Sequence, residues 1–263
     1  MRVQVLVVTM NQKQNDYSLL DKMNIQTDAI VGNQCDRNEV VEFERNDRKI
    51  KWLSFAERGV GLNRNNTLMR ANADIILFAD DDVVYCNDYE KVISDFYETH
   101  NDADVVIFNF MVKRGDSPYK KIVNKTKKVS WKGVTSFGTY CISARNNAIK
   151  KKNIYFNREF GGGSLYSHGE DTLFLHDCIK SGLTVYTCES IIGSVDHGQS
   201  TWFVGYNERI LSDTGIVYYT MMGNMAVPAA IYHCYKHKGL YSEIGWKKAL
   251  RYVMNGINAA RKR

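Results

Sequence analysis

Five apolar residues, Ile75-Ile76-Leu77-Phe78-Ala79, run directly into three aspartates, Asp80-Asp81-Asp82. The apolar run reads as a buried strand. A buried strand that ends in carboxylates delivers them to the edge of a sheet, where a hard divalent cation can bridge them to a phosphate. Neighbouring carboxylates repel, so holding three together requires a cation or a network of donors. The alternative is a solvated turn, where Asp is common. The strand in front of the triplet and the acidic partners further along the chain favour the first reading.

The 263 residues suffice for one generous α/β domain, or for one domain with a small appendage. An apolar content of 44% with two prolines, Pro118 and Pro228, describes an ordered globular chain. Six scattered cysteines form no C-x-x-C pair, which fits neither a zinc site nor a disulfide framework and suits a reducing cytoplasm. Met1 to Thr9 holds too short an apolar core for a secretory signal. No stretch offers about 20 uninterrupted apolar residues, so no transmembrane helix is expected. The nearest candidate, Gly215 to His233, is interrupted by Asn224 and Pro228. A cytoplasmic location is therefore the expectation. The net charge of +6 is a C-terminal property, because from Lys236 to Arg263 eight basic residues face Glu243 alone.

Strand and helix signals alternate along the first part of the chain, as in parallel α/β folds. Strands are predicted at Val3 to Thr9, Ala29 to Val31, Ile50 to Leu53, Ile75 to Ala79, Val105 to Phe108, Tyr140 to Ile142 and Thr184 to Tyr186. Helices are predicted at Asn15 to Met23, Leu62 to Ala71, Tyr89 to His100, Ala144 to Lys151 and Thr172 to Ser181. Lys113 to Lys132 is basic and irregular, and reads as a solvated loop or hairpin at least as readily as a binding surface. The glycine run Phe160-Gly161-Gly162-Gly163-Ser164 has little backbone preference and reads as a mobile lid beside candidate catalytic residues. The expected organisation is a body over 1–205, with halves at about 1–110 and 111–205, and a helical extension over 206–263.

Four segments can be tied to one chemistry. Asp80 and Asp82 form a D-x-D pair at the strand end. Glu170-Asp171 opens a helix, whose dipole would keep a carboxylate ionised, as a general base at neutral pH requires. His197 follows a strand, where an imidazole could supply a third metal ligand, although a lone turn histidine is more often structural. Arg58 and Arg64 flank Gly59-Val60-Gly61, placed to meet anionic phosphates.

This arrangement, in this order, resembles the family-2 glycosyltransferases of the GT-A fold. The matching motifs are a first strand ending in Thr9-Met10-Asn11, a G-x-x-x-A-R-N-x-G-like segment from Gly59 to Asn66, the D-x-D pair, and a G-E-D-T-type element at Gly169-Glu170-Asp171-Thr172. The resemblance implies a Rossmann-like α/β fold with a central, mostly parallel sheet and a C-terminal helical extension. It implies inverting, metal-dependent transfer of a hexose from a UDP-sugar to a glycan or a polyprenyl-diphosphate-linked acceptor in bacterial surface polysaccharide synthesis. By position, Asp80 would face the ribose or the metal, and Asp82 would hold Mn2+ or Mg2+ on the diphosphate. Asp171 would deprotonate the acceptor hydroxyl, with Glu170 positioning acceptor or base. Thr9, Asn11, Asn33, Arg58, Arg64 and Asp81 would complete the nucleotide-sugar side. Tyr166, His168 and Trp202 would line the acceptor side, since aromatic faces stack on sugar rings, while a core role for Trp202 is equally compatible. The chain departs from the pattern after strand two. Gly32-Asn33-Gln34 stands where an acidic pair is common, although both amides can hydrogen-bond a base edge.

Trp246, Leu250, Val253, Ile257 and Ala260 share one helical face, opposite Lys247, Lys248, Arg251, Asn255 and Lys262. Such a helix either makes peripheral contact with an anionic membrane or packs its stripe on the domain. Two rival functions carry less weight. A haloacid-dehalogenase-type phosphatase would use Asp80 as nucleophile, but that residue normally ends the first strand and no convincing lysine lies between the motifs. A non-enzymatic module binding RNA or acidic glycans lacks a stacked-aromatic motif, and an isoelectric point of 8.9 is mild for nucleic acid, so none is expected as partner.

Overall fold

The computed structural model describes every residue of the chain except 114, 116, 131–132, 134–136 and 197–204. The first half contains β1 (Val3–Met10), α1 (Ser18–Lys22), β2 (Asp28–Gln34), β3 (Glu39–Arg45), β4 (Arg48–Phe55), α2 (Val60–Arg70), β5 (Ile75–Asp80), β6 (Val83–Tyr85), α3 (Tyr89–Thr99) and β7 (Val105–Lys113). The second half contains β8 (Lys120–Lys121), β9 (Lys127–Lys128), β10 (Ile142–Arg145), α4 (Asn146–Lys151), α5 (Glu170–Lys180), β11 (Val185–Asp196), α6 (Glu208–Met222), α7 (Ala226–Lys236) and α8 (Trp246–Arg261).

One sheet runs in the order β3-β4-β2-β1-β5-β10-β7-β11-β6, with β8 on β7 and β9 on β11. Strands β4, β2, β1 and β5 are parallel, as are β7 and β11, while β10 enters antiparallel between β5 and β7. β1 and β5 are buried on both faces nearly throughout, which is why they read as unbroken apolar runs. The chain leaves β1 for β2 and β4 on one side, then returns to β5 on the other. The strand order therefore reverses between β1 and β5, and a crevice opens beyond their carboxyl ends.

Three local expectations are corrected. Glu39–Arg45 is an additional strand, paired antiparallel with β4 through a turn in which Asn46 and Asp47 both have positive φ (50° and 60°). That is the backbone a two-residue hairpin favours. Tyr140-Cys141 lies in a 3-10 turn, with the strand following at Ile142–Arg145. The helix expected from Ala144 begins only at Asn146, because Ala144 and its neighbours pair with β5 and β7.

The last three helices share a core of Leu211, Ala226, Ala230, Cys234, Tyr241, Ala249, Val253 and Ile257. α6 and α8 cross at glycines: a Cβ on Gly256 would lie 1.8 Å from the Ser212 carbonyl oxygen, and one on Gly215 2.0 Å from that of Val253. Of the α8 apolar stripe, Val253 and Ile257 are buried and Trp246, Leu250 and Ala260 half-buried. The stripe is thus occupied by packing. A further cluster, Phe160, Tyr166 and Leu173 with Ile216, Val217 and Met221, joins α6 to the body. Among the described residues no helix is long and apolar enough to cross a membrane.

Candidate active site

The parallel register brings Val8 beside Asp80 and Thr9 beside Asn33, so the functional side chains of three strands meet at one edge. Thr9 Oγ1 donates to Asp81 Oδ2 at 2.5 Å, bridging β1 and the turn after β5. Gln12 Nε2 donates to Thr9 Oγ1 at 2.8 Å. Asn33, almost fully buried, accepts from the Gln12 backbone amide (3.0 Å) and donates to the Gln12 carbonyl (3.2 Å) and Ser54 Oγ (3.3 Å). Its amide therefore shapes the wall of the crevice. Asn11 adopts positive φ (57°), its N–H donating to the Gln34 carbonyl.

α2 carries an unusual run of buried polar residues, Asn63 to Thr67. Asn63 Nδ2 donates to the Gly32 carbonyl (2.8 Å), and Asn65 exchanges hydrogen bonds with the backbone of Phe156. Arg64 is the centre of the site. Its side chain is 5% exposed; Nη2 donates to Asp80 Oδ1 at 2.7 Å and Nη1 to Glu170 Oε1 at 2.8 Å. Burial opposes the charged guanidinium, but Asp80 and Glu170 outweigh it and raise its pKa. Arg64 thus faces two carboxylates. Arg58 Nη1 donates to the carbonyls of Cys35 and Glu57.

Three aromatic rings fix α5 against the end of β5. Phe174 stacks on Phe156 (centroids 4.3 Å apart) and meets Phe78 edge-on at 5.4 Å. Two residues of the first α5 turn, Glu170 and Asp171, follow from that anchorage. The glycine run does not form a free lid. Phe160 is buried, Gly161 N–H donates to the Tyr166 carbonyl, and the Gly162 carbonyl accepts from Val60 N–H (both 2.9 Å). Glycine is required at 161 because φ is +98° and a Cβ would lie 2.7 Å from the Glu170 carboxyl carbon.

The electrostatics differ from a helix-dipole expectation. Burial, and then the Glu170 charge, push the Asp171 carboxyl up to about 7; the Thr172 N–H that it accepts at 2.6 Å opposes this only in part. A group that titrates near neutrality is suited to proton abstraction. Asp80 is likewise raised, by burial, with Arg64 opposing and Asp82 and Glu170 adding to the shift. The Asp82 and Glu170 charges are thus felt at Asp80 in addition to burial. Among the described residues no three His, Cys, Asp or Glu side chains cluster as a complete metal cage.

No motif in the sequence marks the anchor of the segment that leads into Asp171. The Asp213 carboxylate of α6, buried, accepts from Ser167 N–H (2.8 Å) and Ser167 Oγ (2.6 Å). His168 contacts Ser167 Oγ and Thr214 Oγ1, each at 3.1 Å, and burial lowers its pKa. His168 thus faces α6 partners. Tyr166 is corrected as an open stacking platform: its ring is buried, 4.9 Å from Phe160 and capped by the Arg263 guanidinium at 5.5 Å. His197 and Trp202 lie outside the described residues.

An acidic crevice at the β1/β5 switch point, faced by a carboxyl that titrates near neutrality, belongs to a GT-A-type transferase fold. The chain is a member of glycosyl transferase family 2, whose model matches residues 25–161. That span includes the aspartate triplet and Arg64 and stops before Glu170-Asp171. S. aureus TarS (residues 1–349, with UDP-GlcNAc) aligns with TM-score 0.68 at 15% identity, over 99% of this chain and 82% of that one. Its complex with UDP gives 0.61 at 17%, over 93% and 73%. Mannosyltransferase PcManGT from Pyrobaculum calidifontis, with GDP-Man and Mn2+, gives 0.51 at 12%, over 99% and 75%. At these identities the likeness establishes the fold. No curated protein matches the chain by sequence. Family membership removes the phosphatase and the non-enzymatic module as alternatives.

Proposed function

We propose that this glycosyltransferase moves a hexose from a UDP-sugar to a hydroxyl of a glycan or lipid-linked oligosaccharide, with inversion, in bacterial surface polysaccharide synthesis. The observation that carries the reading is the Arg64 guanidinium, which draws the D-x-D edge and the Glu170-Asp171 step into one cleft. The UDP and UDP-GlcNAc complexes of TarS support the donor class. So does Gln34, whose buried side-chain carbonyl oxygen has no hydrogen-bond partner at the end of β2. An acceptor there suits the imide N–H of uracil.

The residues fit a divalent cation. Asp82 is exposed beside Asp80, and burial raises the Asp80 carboxyl against Arg64, with the Asp82 and Glu170 charges adding to the shift. Asp82 would hold Mn2+ or Mg2+ together with the donor diphosphate, while Asp80 stays on Arg64 and the ribose side. When bound, the cation neutralises charge on the departing diphosphate. Asp171 takes the proton from the acceptor hydroxyl as that oxygen attacks the anomeric carbon, and the glycosyl–phosphate bond breaks in the same displacement. Glu170, held by Arg64, adds its negative charge to burial in keeping Asp171 basic. No covalent enzyme intermediate is required. We place the enzyme in the cytoplasm, in peripheral contact with the inner face of the membrane, where lipid-linked acceptors are extended.

The test is a panel of nucleotide sugars assayed for Mn2+-dependent nucleotide release, repeated with Asp171→Asn. Release from a UDP-hexose that is lost in the variant supports the reading; release from no UDP-sugar, or release unaffected by the substitution, contradicts it.

A further inference from the structure

α7 is built inside out. Its inward positions, Ala226, Ala230 and Cys234, are small and fully buried, whereas its outward face carries Met225, Pro228, Ile231, Tyr232 and Tyr235. Met225 is 66% exposed, Tyr232 63% and Tyr235 59%, and Leu240, just beyond the helix, is exposed as well. A helix that meets only water normally directs its large apolar residues to the core and polar ones outward. Here the larger apolar residues face out, next to basic ones. Lys236 Nζ lies 5.4 Å from the Tyr232 ring centre and Lys238 Nζ 5.6 Å from that of Tyr235. Lys247 and Lys248, also exposed, follow at the start of α8.

We infer that this α7 face, and not the buried stripe of α8, is the surface by which the protein docks on an anionic lipid bilayer. Three observations select that occupant. Tyrosine rings with adjacent lysines match the headgroup level, where amphipathic rings and cations are both accommodated. The charge is one-sided, since from Lys236 to Arg263 only Glu243 is acidic, which complements anionic headgroups. A second copy of the chain seated on the same patch would set those lysines against their own counterparts. The site is also connected to the chemistry: α7 packs on α6, and α6 holds Ser167, four residues before Asp171, through Asp213. The inference deepens the proposed use of a lipid-linked acceptor and rests on it.

The full chain is sedimented with vesicles of phosphatidylcholine alone and of phosphatidylcholine mixed with phosphatidylglycerol. Binding is expected only to the mixed vesicles and is released by salt. Ile231→Ser/Tyr232→Ser/Tyr235→Ser should lose it, and Lys236→Gln/Lys238→Gln should weaken it by roughly fivefold per lysine. Both variants should keep Mn2+-dependent donor hydrolysis measured without vesicles. Undiminished vesicle binding by the triple variant, no binding by the unaltered protein, or self-association that the triple variant abolishes would each overturn the proposal. No vesicle binding by the unaltered protein with its nucleotide release intact sinks only this surface; vesicle binding by the unaltered protein without nucleotide release sinks the transferase reading instead.

Discussion

Asp80 and Glu170 share one guanidinium, accepting from opposite nitrogens of Arg64 at 2.7 and 2.8 Å. The two acids come from elements far apart in the chain, the end of β5 and the start of α5. Their common cation makes the cleft a single object.

Removing that cation leaves two half-buried carboxylates without their shared partner. Arg64→Ala is expected to destabilise the fold by about 2–3 kcal/mol, below the full range for breaking a buried ion pair from one side because Asp80 is one-third exposed. Arg64→Lys keeps the charge but lacks the planar fork that reaches both acids, so it should recover only part of the loss. Urea unfolding midpoints of the three proteins check both statements.

Asp171 sets a pH dependence. With its carboxyl at about 7, turnover should fall roughly tenfold per pH unit below that value, because the base is then protonated. Asp171→Asn should lower turnover by about 10²–10⁴-fold and abolish that limb. Stability moves the other way. Between the ordinary carboxyl value of 3.8 and about 7 the folded state binds more protons than the unfolded one, so stability declines as pH rises through that window. Asp171→Asn should therefore gain stability over the parent at pH 8 and little at pH 4, measured by thermal unfolding.

Much of this was legible in the sequence because it rests on local pattern. The apolar runs of β1 and β5 and the carboxylates after them are read directly, since strands covered on both faces admit little else. β3 was missed although Glu39 to Arg45 alternates and Asn46-Asp47 follows; its weakly apolar, half-exposed face hid the period. The glycine run was misread for a different reason. Glycine signals either freedom or close approach, and only the positions of Val60 and Glu170 decide for the latter at Gly161. Asp213 gave no signal at all, because its partner Ser167 lies on another element and no short motif joins them.

Gly161→Ala forces a Cβ to within 2.5 Å of Val60 Cγ1 and 2.7 Å of the Glu170 carboxyl carbon, at φ +98°. The expected cost is about 1–3 kcal/mol of backbone strain. Glu170 must also shift, so turnover should drop further than the stability loss alone would produce. Turnover measured well below the melting temperature separates the two effects.

Asp213→Ala removes the acceptor of Ser167 N–H and O–H in the segment leading into Asp171, a loss of about 1–2 kcal/mol because the donors are part-buried and the hydroxyl retains His168. Because Asp213 touches neither the D-x-D edge nor Gln34, the KM for donor should hold while kcat falls. Asp213→Asn, which keeps an acceptor oxygen, should restore part of kcat.

The most direct test is calorimetric titration of UDP with and without Mn2+ into the unaltered protein, Asp82→Ala and Asp171→Asn. Mn2+ should tighten UDP binding in the unaltered protein and in Asp171→Asn, and have no such effect in Asp82→Ala. UDP binding that ignores both Mn2+ and Asp82 would contradict a cation and diphosphate at the acidic edge.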